Sequence, residues 1–322
     1  MASTVMSSST RASHWAGMGE STFVTGVWCL YGVYRLFGRL PFRLCLYPVV
    51  FFYWLTRVSA RRASLDYLRR LRAAGALAVI PTWRTSLRHF ACFAETLLDK
   101  TLAMSGRYRQ ERVRFEGREE IVADLQSGRG AMIITAHLGC LELLQATASL
   151  RPGLKINILV HTAHAQRFNR ILARLNPDSQ VQLLQVTEFS VPQAMMLVER
   201  VAAGEVVAIA GDRIPVTGDR TLTLPFLGSP AAFPAGPYLM ASVLACPVYL
   251  LSCLHDGDGY RARMCKFAER VQLPRNSRAA AMQAYAGIFV AWLEDRLRES
   301  PFDWFNFYPF WDQVPHDADK TF

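Results

Sequence analysis

The chain reads as an α/β protein with a mostly parallel central sheet flanked by helices, preceded by an apolar, membrane-associating helical segment. Three observations point there. Short continuous runs rich in β-branched residues recur from about residue 131 onward, as buried parallel strands require. The stretches between them have helical spacing and end in Gly or Pro. Residues 22–56 are far more hydrophobic than the rest. With 322 residues, 51% of them hydrophobic, the chain can bury one large core or two small ones.

In order along the chain, MASTVMSSSTRAS (1–13) is Ser/Thr-rich with no apolar run directly behind it, so residues 1–20 read as a disordered start, not a cleaved signal peptide. Residues 21–72 read as the membrane-associating segment. Its charge-free pieces, Ser21 to Tyr34 and Leu44 to Thr56, hold 14 and 13 residues, short of the roughly 20 needed to span a bilayer. Arg35, Arg39 and Arg43 lie between them, and Trp28, Tyr31, Tyr34, Tyr47, Tyr53 and Trp54 add interfacial rings. Arg57, Arg61, Arg62, Arg69, Arg70 and Arg72 follow. That pattern fits a segment lying in, or dipping into, an anionic membrane face. Two buried helices followed by a basic surface helix would give a similar pattern, as would one spanning helix with snorkelling arginines.

Residues 73–322 read as the α/β domain. AMIITA (131–136), INILVH (156–161), VQLLQV (181–186), VVAIA (206–210) and VYLLSCL (248–254) are the predicted strands. CLELLQATASL, AQRFNRILARL, VPQAMMLVERVAAG and AGPYLMASVLA are the predicted helices between them. A Pro/Gly-rich loop from residue 224 leads into the last of these, and a long amphipathic helix from Ser277 to Glu299 precedes an aromatic tail.

Lys plus Arg number 36 against 26 for Asp plus Glu, a net charge of +10. This favours an anionic partner such as anionic lipid or an acidic carrier protein. Nucleic acid fits least, since no zinc-finger spacing, RNP-type strand or basic tail is present. The seven cysteines form no C-x-x-C pair and read as reduced thiols.

Function in an open α/β sheet gathers where strands end. His137 follows AMIITA, and Gly139 allows a tight turn into a helix carrying Glu142. From one turn into that helix, Glu142 can fold back and fix the imidazole tautomer, leaving the other ring nitrogen as a base. A carboxylate there also favours the imidazolium, so the pair takes up a proton near neutral pH. Alone, such a pair is more often a satisfied strand-end histidine beside a solvated glutamate. Asp212-Arg213 ends another strand on the same rim, and Arg167 and Arg170 near a helix start are candidate anion contacts or a basic helix face.

The order of these elements resembles the lipid A biosynthesis acyltransferase-like group of the lysophospholipid acyltransferase superfamily. Its H-x4-D/E box is matched by His137 to Glu142, and its later acidic element by Asp212-Arg213. Its Gly/Pro-rich segment is matched by Phe226 to Val248, and its closing aromatic element by Trp304 to Trp311. The likeness covers nearly the whole chain. Cys140-Leu141 stand where many members have Asn-Trp, and Arg213 where the late lipid A enzymes commonly have Gln. In these departures the chain is similar to the branch linked to aryl polyene and other lipids outside lipid A.

The resemblance implies O-acyl transfer from a thioester, on acyl carrier protein or coenzyme A, to a hydroxyl of a lipid or glycolipid. His137 would be the general base and Glu142 its partner, with Arg167, Arg170, Asp212 and Arg213 binding substrate and no cofactor or metal needed. It implies a bacterial inner-membrane protein with its catalytic domain on the cytoplasmic side. A late acyltransferase of lipid A itself is the near alternative. A metal hydrolase using His137, Glu142, His161, His164 and Asp212 lacks a helical H-E-x-x-H face. A non-catalytic membrane-anchored binder of acyl carrier protein leaves the two rim clusters unexplained.

Overall fold

The computed structural model describes residues 32, 34–104, 107–143, 153–160, 180–185, 190–214 and 220–314. Three helices open it: α1 (Arg39–Thr56), α2 (Val58–Ala73) and α3 (Trp83–Met104). Then come β1 (Val113–Glu116), α4 (Glu119–Gln126), β2 (Ala131–Gly139), β3 (Ile156–Val160) and β4 (Val181–Gln185). They are followed by α5 (Val191–Ala202), β5 (Val206–Ala210), β6 (Thr221–Phe226), β7 (Ser229–Pro234) and α6 (Gly236–Leu244). β8 (Val248–Asp256), β9 (Gly259–Ala268) and α7 (Arg278–Glu299) complete the order.

The seven-stranded sheet runs β1-β9-β8-β2-β5-β3-β4. From β8 to β4 every neighbour is parallel, while β9 runs antiparallel to β8 and carries β1 parallel to itself. The alternation of β2 sorts the two faces. Met132, Ile134, Ala136 and Leu138 join the larger core with α2, α5, α6 and α7. Ala131 and Ile133 pack with Ile121 and Leu125 of α4 on the other face. The five predicted strands are all present, and among the described residues the helices after β4, β7 and β9 stand where expected. The mostly parallel, helix-flanked sheet is therefore as read.

One local reading needs correction. The stretch from residue 224 is not simply a loop: β6 and β7 form an antiparallel hairpin. Leu227 and Gly228 turn it with φ of 49° and 77°, the positive values a tight hairpin with matched twist requires. Pro225, Pro230 and Pro234 signalled a loop, but a two-stranded ribbon tolerates proline because each residue has only one ladder partner. β2 runs on to Gly139, Leu141–Leu143 form a 3-10 turn, and the rest of the helix expected there lies outside the described residues.

Gly139 shows why β2 ends as it does. Its φ is +56°, and a Cβ there would lie 1.9 Å from the Cys253 carbonyl oxygen on β8. That backbone cannot yield, because Cys253 also accepts the Cys140 amide at 3.1 Å. Gly139→Ala is expected to cost roughly 2 kcal/mol or more of stability through strain at this junction. Denaturant unfolding measures it, and an unchanged midpoint would refute the close-approach account.

α1 carries a stripe of buried side chains four residues apart, Phe42, Leu46, Val50 and Trp54. They pack with Phe90, Leu98, Leu102, Phe305 and Phe307, the i, i+4 pattern of a helix with one inward face. Its other faces are apolar too: Leu40, Leu44, Tyr47, Val49, Phe51, Phe52 and Leu55 are exposed, and Trp83 beside Trp54 extends them. No described helix is long and apolar enough to cross a membrane. Of the arginines that follow, Arg57, Arg62, Arg69 and Arg72 face outward. Arg70 turns inward, over the Trp311 ring at 4.4 Å and onto Asp66 at 2.9 Å.

Candidate active site

The site forms where β5 stops short of its neighbour. β2 and β5 pair from Ala131↔Val206 to Thr135↔Ala210, and β5 then ends. Beyond that point the His137 amide has no strand partner on this side, and the Asp212 carboxylate supplies one, with Oδ2 accepting it at 3.0 Å. The same carboxylate reaches the ring: Oδ1 lies 2.7 Å from His137 Nδ1. An ionised carboxylate only accepts, so this contact fixes the proton on Nδ1 and leaves Nε2 with its lone pair. Among the described residues nothing bonds Nε2, and the ring is 34% exposed while Asp212 is fully buried.

A distant segment fills the rest of the gap. Leu138 and Trp304 form an antiparallel bridge. Gly139 donates to the Asp303 carbonyl at 2.8 Å, and Phe305 donates to the His137 carbonyl at 3.1 Å. Two side chains of this segment bind Asp212 Oδ2, Trp304 through its indole Nε1 at 2.9 Å and Asn306 through its amide at 3.1 Å. Asn306 Oδ1 in turn accepts from Arg213 Nε at 2.7 Å, and the Phe305 carbonyl accepts from Arg213 Nη2 at 2.9 Å. Arg213 is thus held beside the dyad by the same residues that hold Asp212.

The charges follow from this packing. Burial works to raise the Asp212 carboxyl. The adjoining imidazole, Arg213 and the Trp304 indole outweigh it, so the group lies well below the usual carboxylate range. His137 moves down from its ordinary value, through burial first and then the positive charge of Arg213, against the opposing pull of Asp212. The ring is therefore neutral near pH 7. The sequence-based expectation, which set Glu142 beside the ring and favoured the imidazolium, is corrected: burial first, and then Arg213, outweigh the carboxylate that does adjoin the ring, Asp212.

A second histidine–aspartate pair has the same shape and the opposite character. Asp303 accepts the His255 amide at 2.8 Å through Oδ2 and lies 2.5 Å from His255 Nδ1 through Oδ1. Here burial alone would lower the imidazole, but Asp303, Asp99 and Glu95 raise it above its ordinary value. The Tyr260 hydroxyl takes up the other ring nitrogen at 2.8 Å and donates to Asp99 at 3.0 Å. Cys92 Sγ donates to Asp303 Oδ1 at 3.3 Å. Both nitrogens of His255 are engaged, so this pair is a structural tie between β8, α3 and the 303–306 segment.

His137, Asp212 and Arg213 are thus brought together. Glu142 is not behind His137: its Oε1 accepts from Lys100 Nζ on α3 at 3.1 Å, and among the described residues no hydrogen bond joins it to the ring. The expected pairing rested on the two being near in sequence, whereas sheet order sets Asp212 beside the ring. Arg167 and Arg170, with His161 and His164, lie outside the described residues. Sequence reasoning missed Trp304 and Asn306 as site residues. The aromatic run Trp304 to Trp311 was visible as an element, and its two polar members carried the signal.

The family described as bacterial lipid A biosynthesis acyltransferase matches residues 86–313. No curated protein matches the chain.

Proposed function

Starting from a chain that belongs to the bacterial lipid A biosynthesis acyltransferase family, we propose that it is an O-acyltransferase moving an acyl chain from a thioester to a hydroxyl of a lipid or glycolipid. The observation that carries this is a neutral imidazole whose Nδ1 is fixed on buried Asp212 and whose Nε2 has no partner among the described residues. His137 Nε2 takes the acceptor hydroxyl proton as that oxygen attacks the thioester carbonyl. The tetrahedral intermediate collapses, the carbon–sulfur bond breaks, and the imidazolium returns the proton to the departing thiolate. Asp212 holds the ring's orientation and offsets its transient charge. No protein nucleophile is required, since the thioester is already activated. Cys140, buried and with its thiol pushed up by burial and by Glu142, has the wrong chemistry for one. Arg213 supplies a fixed cation for phosphate on the donor's pantetheine arm or on the acceptor.

The donor is acyl carrier protein or coenzyme A, and the acceptor is a membrane lipid outside lipid A. Incubating membranes containing the protein with labelled acyl thioesters and identifying the labelled lipid by mass tests both. Label in lipid A would make the chain a late acyltransferase of that pathway. Binding of acyl carrier protein without turnover would make it a non-catalytic anchor instead.

The exposed apolar faces of α1, with Arg57, Arg62, Arg69 and Arg72 after them, support docking on the cytoplasmic side of the bacterial inner membrane. Leu44 and Phe52 are 67% and 65% exposed. The pair Leu44→Glu and Phe52→Glu is expected to leave the melting temperature unchanged and to lower binding to anionic vesicles at least about tenfold, since each buried apolar side chain contributes roughly 1.5–3 kcal/mol. Unchanged partitioning in a flotation assay would remove this assignment.

A further inference from the structure

Two histidines fasten the segment at 303–306, and they differ in charge. His89 on α3 donates through Nε2 to the Trp304 carbonyl at 2.8 Å, and its Nδ1 accepts from the Ser64 hydroxyl at 3.0 Å. Burial pushes this ring down to about 4, so it is neutral near pH 7. His255 instead sits in a chain of groups running from Asp303 to Asp99. Asp303 Oδ1 lies 2.5 Å from its Nδ1, the Tyr260 hydroxyl 2.8 Å from its Nε2, and Asp99 Oδ2 3.0 Å from that hydroxyl. Both carboxylates are fully buried. Three hydrogen bonds need three hydrogens. A neutral imidazole brings one, the phenol brings one, and the carboxylates at the two ends bring none. The chain closes only with one added proton, and the imidazole takes it more readily than either carboxylate. Cys92 does not alter this count, since its thiol, pushed up by burial and by Asp303, donates its own hydrogen to Asp303 Oδ1 at 3.3 Å. Glu95 on α3 is a third carboxylate acting on the ring, itself tied to Arg43 of α1 at 2.9 Å.

We propose that His255 is a positioning residue for the His137–Asp212 dyad: as an imidazolium it fastens the 303–306 segment, and loss of its ring proton at alkaline pH releases that segment and with it Asp212. This rests on the acyl-transfer reading above. The route is short. Asp303 also takes the Gly139 amide on its carbonyl at 2.8 Å, and the Trp304 indole and the Asn306 amide that follow it both bind Asp212 Oδ2. When the ring becomes neutral, one of the three bonds must break, and the tie from α3, β8 and β9 to the segment slackens. The sign follows from linkage. The imidazole holds its proton more tightly in the fold than in the unfolded chain, because Asp303, Asp99 and Glu95 outweigh burial. Its contribution to stability is therefore complete below the ordinary value of about 6.5 and is lost as pH rises through the raised folded value. His137 works neutral and fails in acid, whereas His255 works charged and fails in base, so the two rings bound the active range from opposite sides.

The test follows the NMR titration of the His255 imidazole, the urea unfolding midpoint and the initial transfer rate on the full chain, on Asp99→Asn and on His255→Gln. In the wild type the ring should titrate clearly above about 6.5. The midpoint and the rate should both fall through that same pH, the rate by about tenfold, the scale of one lost charge-assisted bond. Asp99→Asn supplies the missing hydrogen, because its amide can donate to the Tyr260 oxygen and leave the phenol hydrogen for Nε2. A neutral ring then closes the chain, so His255 should titrate at least about one unit lower, and both alkaline falls should disappear. His255→Gln, neutral at every pH, should be less stable and slower from the start, with no alkaline fall. A wild-type His255 that titrates at or below the ordinary value would overturn the proposal, as would alkaline falls that persist in both variants. A rate that stays level while the midpoint falls would overturn the positioning role. If the wild-type chain transfers no acyl group, the enzymatic reading fails. The titration and the unfolding midpoints, which need no substrate, then still decide whether a charged His255 fastens the segment.

Discussion

Replacing His137 with alanine is expected to slow acyl transfer by roughly 10²–10⁴-fold, the usual contribution of a positioned general base. Binding of the thioester should persist, because the ring contributes a proton acceptor and not a pocket wall. The fold should survive at a modest cost. Asp212 Oδ1 loses the Nδ1–H donor, but its three contacts through Oδ2 remain, so the loss is about 1–3 kcal/mol for one unsatisfied acceptor. The wild-type pH profile carries a second expectation. The active form is the neutral ring, and its pKa is displaced downward by burial and Arg213. The rate should therefore hold as pH falls through 6.5, the ordinary imidazole value, and decline only below it. An acid limb at or above 6.5 would rule out the neutral base, and a fully active His137→Ala would rule out the base altogether.

Asp212→Asn should be at least as damaging to catalysis and more damaging to the fold. Four donors converge on this carboxylate: the His137 amide, His137 Nδ1, the Trp304 indole and the Asn306 amide. An amide has one accepting atom. If its NH2 replaces Oδ2, three donors face a donor. If it replaces Oδ1, the imidazole must carry its proton on Nε2, and the base is lost. Either arrangement leaves buried polar groups unpaired, each at about 1–3 kcal/mol. Transfer should fall by roughly 10³–10⁴-fold, as when a triad carboxylate is made an amide, and the unfolding midpoint should drop clearly. Asp303→Asn provides the contrast. His255 has both nitrogens engaged and no role in proton transfer, so its variant should lose stability with a far smaller rate loss in the fraction that stays folded. Equal rate losses in the two variants would erase the distinction between the dyads.

Much of the sheet was legible because buried parallel strands announce themselves as short, mostly apolar runs, as at 131–136, 206–210 and 248–254. The hairpin of β6 and β7 was not, because its prolines speak for a loop until the pairing is known. Strand ends pointed to His137, Asp212 and Arg213, and the fold brings these three together. The wiring between them was hidden. Glu142 is five residues from His137 and Asp212 is 75 away, and only the placement of β5 next to β2 makes the distant residue the neighbour. In α1 the all-round apolar character was plain, but which stripe faces inward depends on Phe90 and Phe307, partners that periodicity cannot name.

The strip at 303–306 fills the space left by a short strand. Its further consequence concerns timing. The base, its carboxylate and the residues that bind both come from positions 137, 212 and 304–306. During synthesis the first half of the chain can form β2 and display His137, yet the ring has no fixed tautomer and Asp212 no full set of donors until the last tenth emerges. Contacts of such long sequence separation form late and slowly. A partly made or partly unfolded chain therefore holds no poised base beside a reactive thioester, and competence to react coincides with completion of the fold.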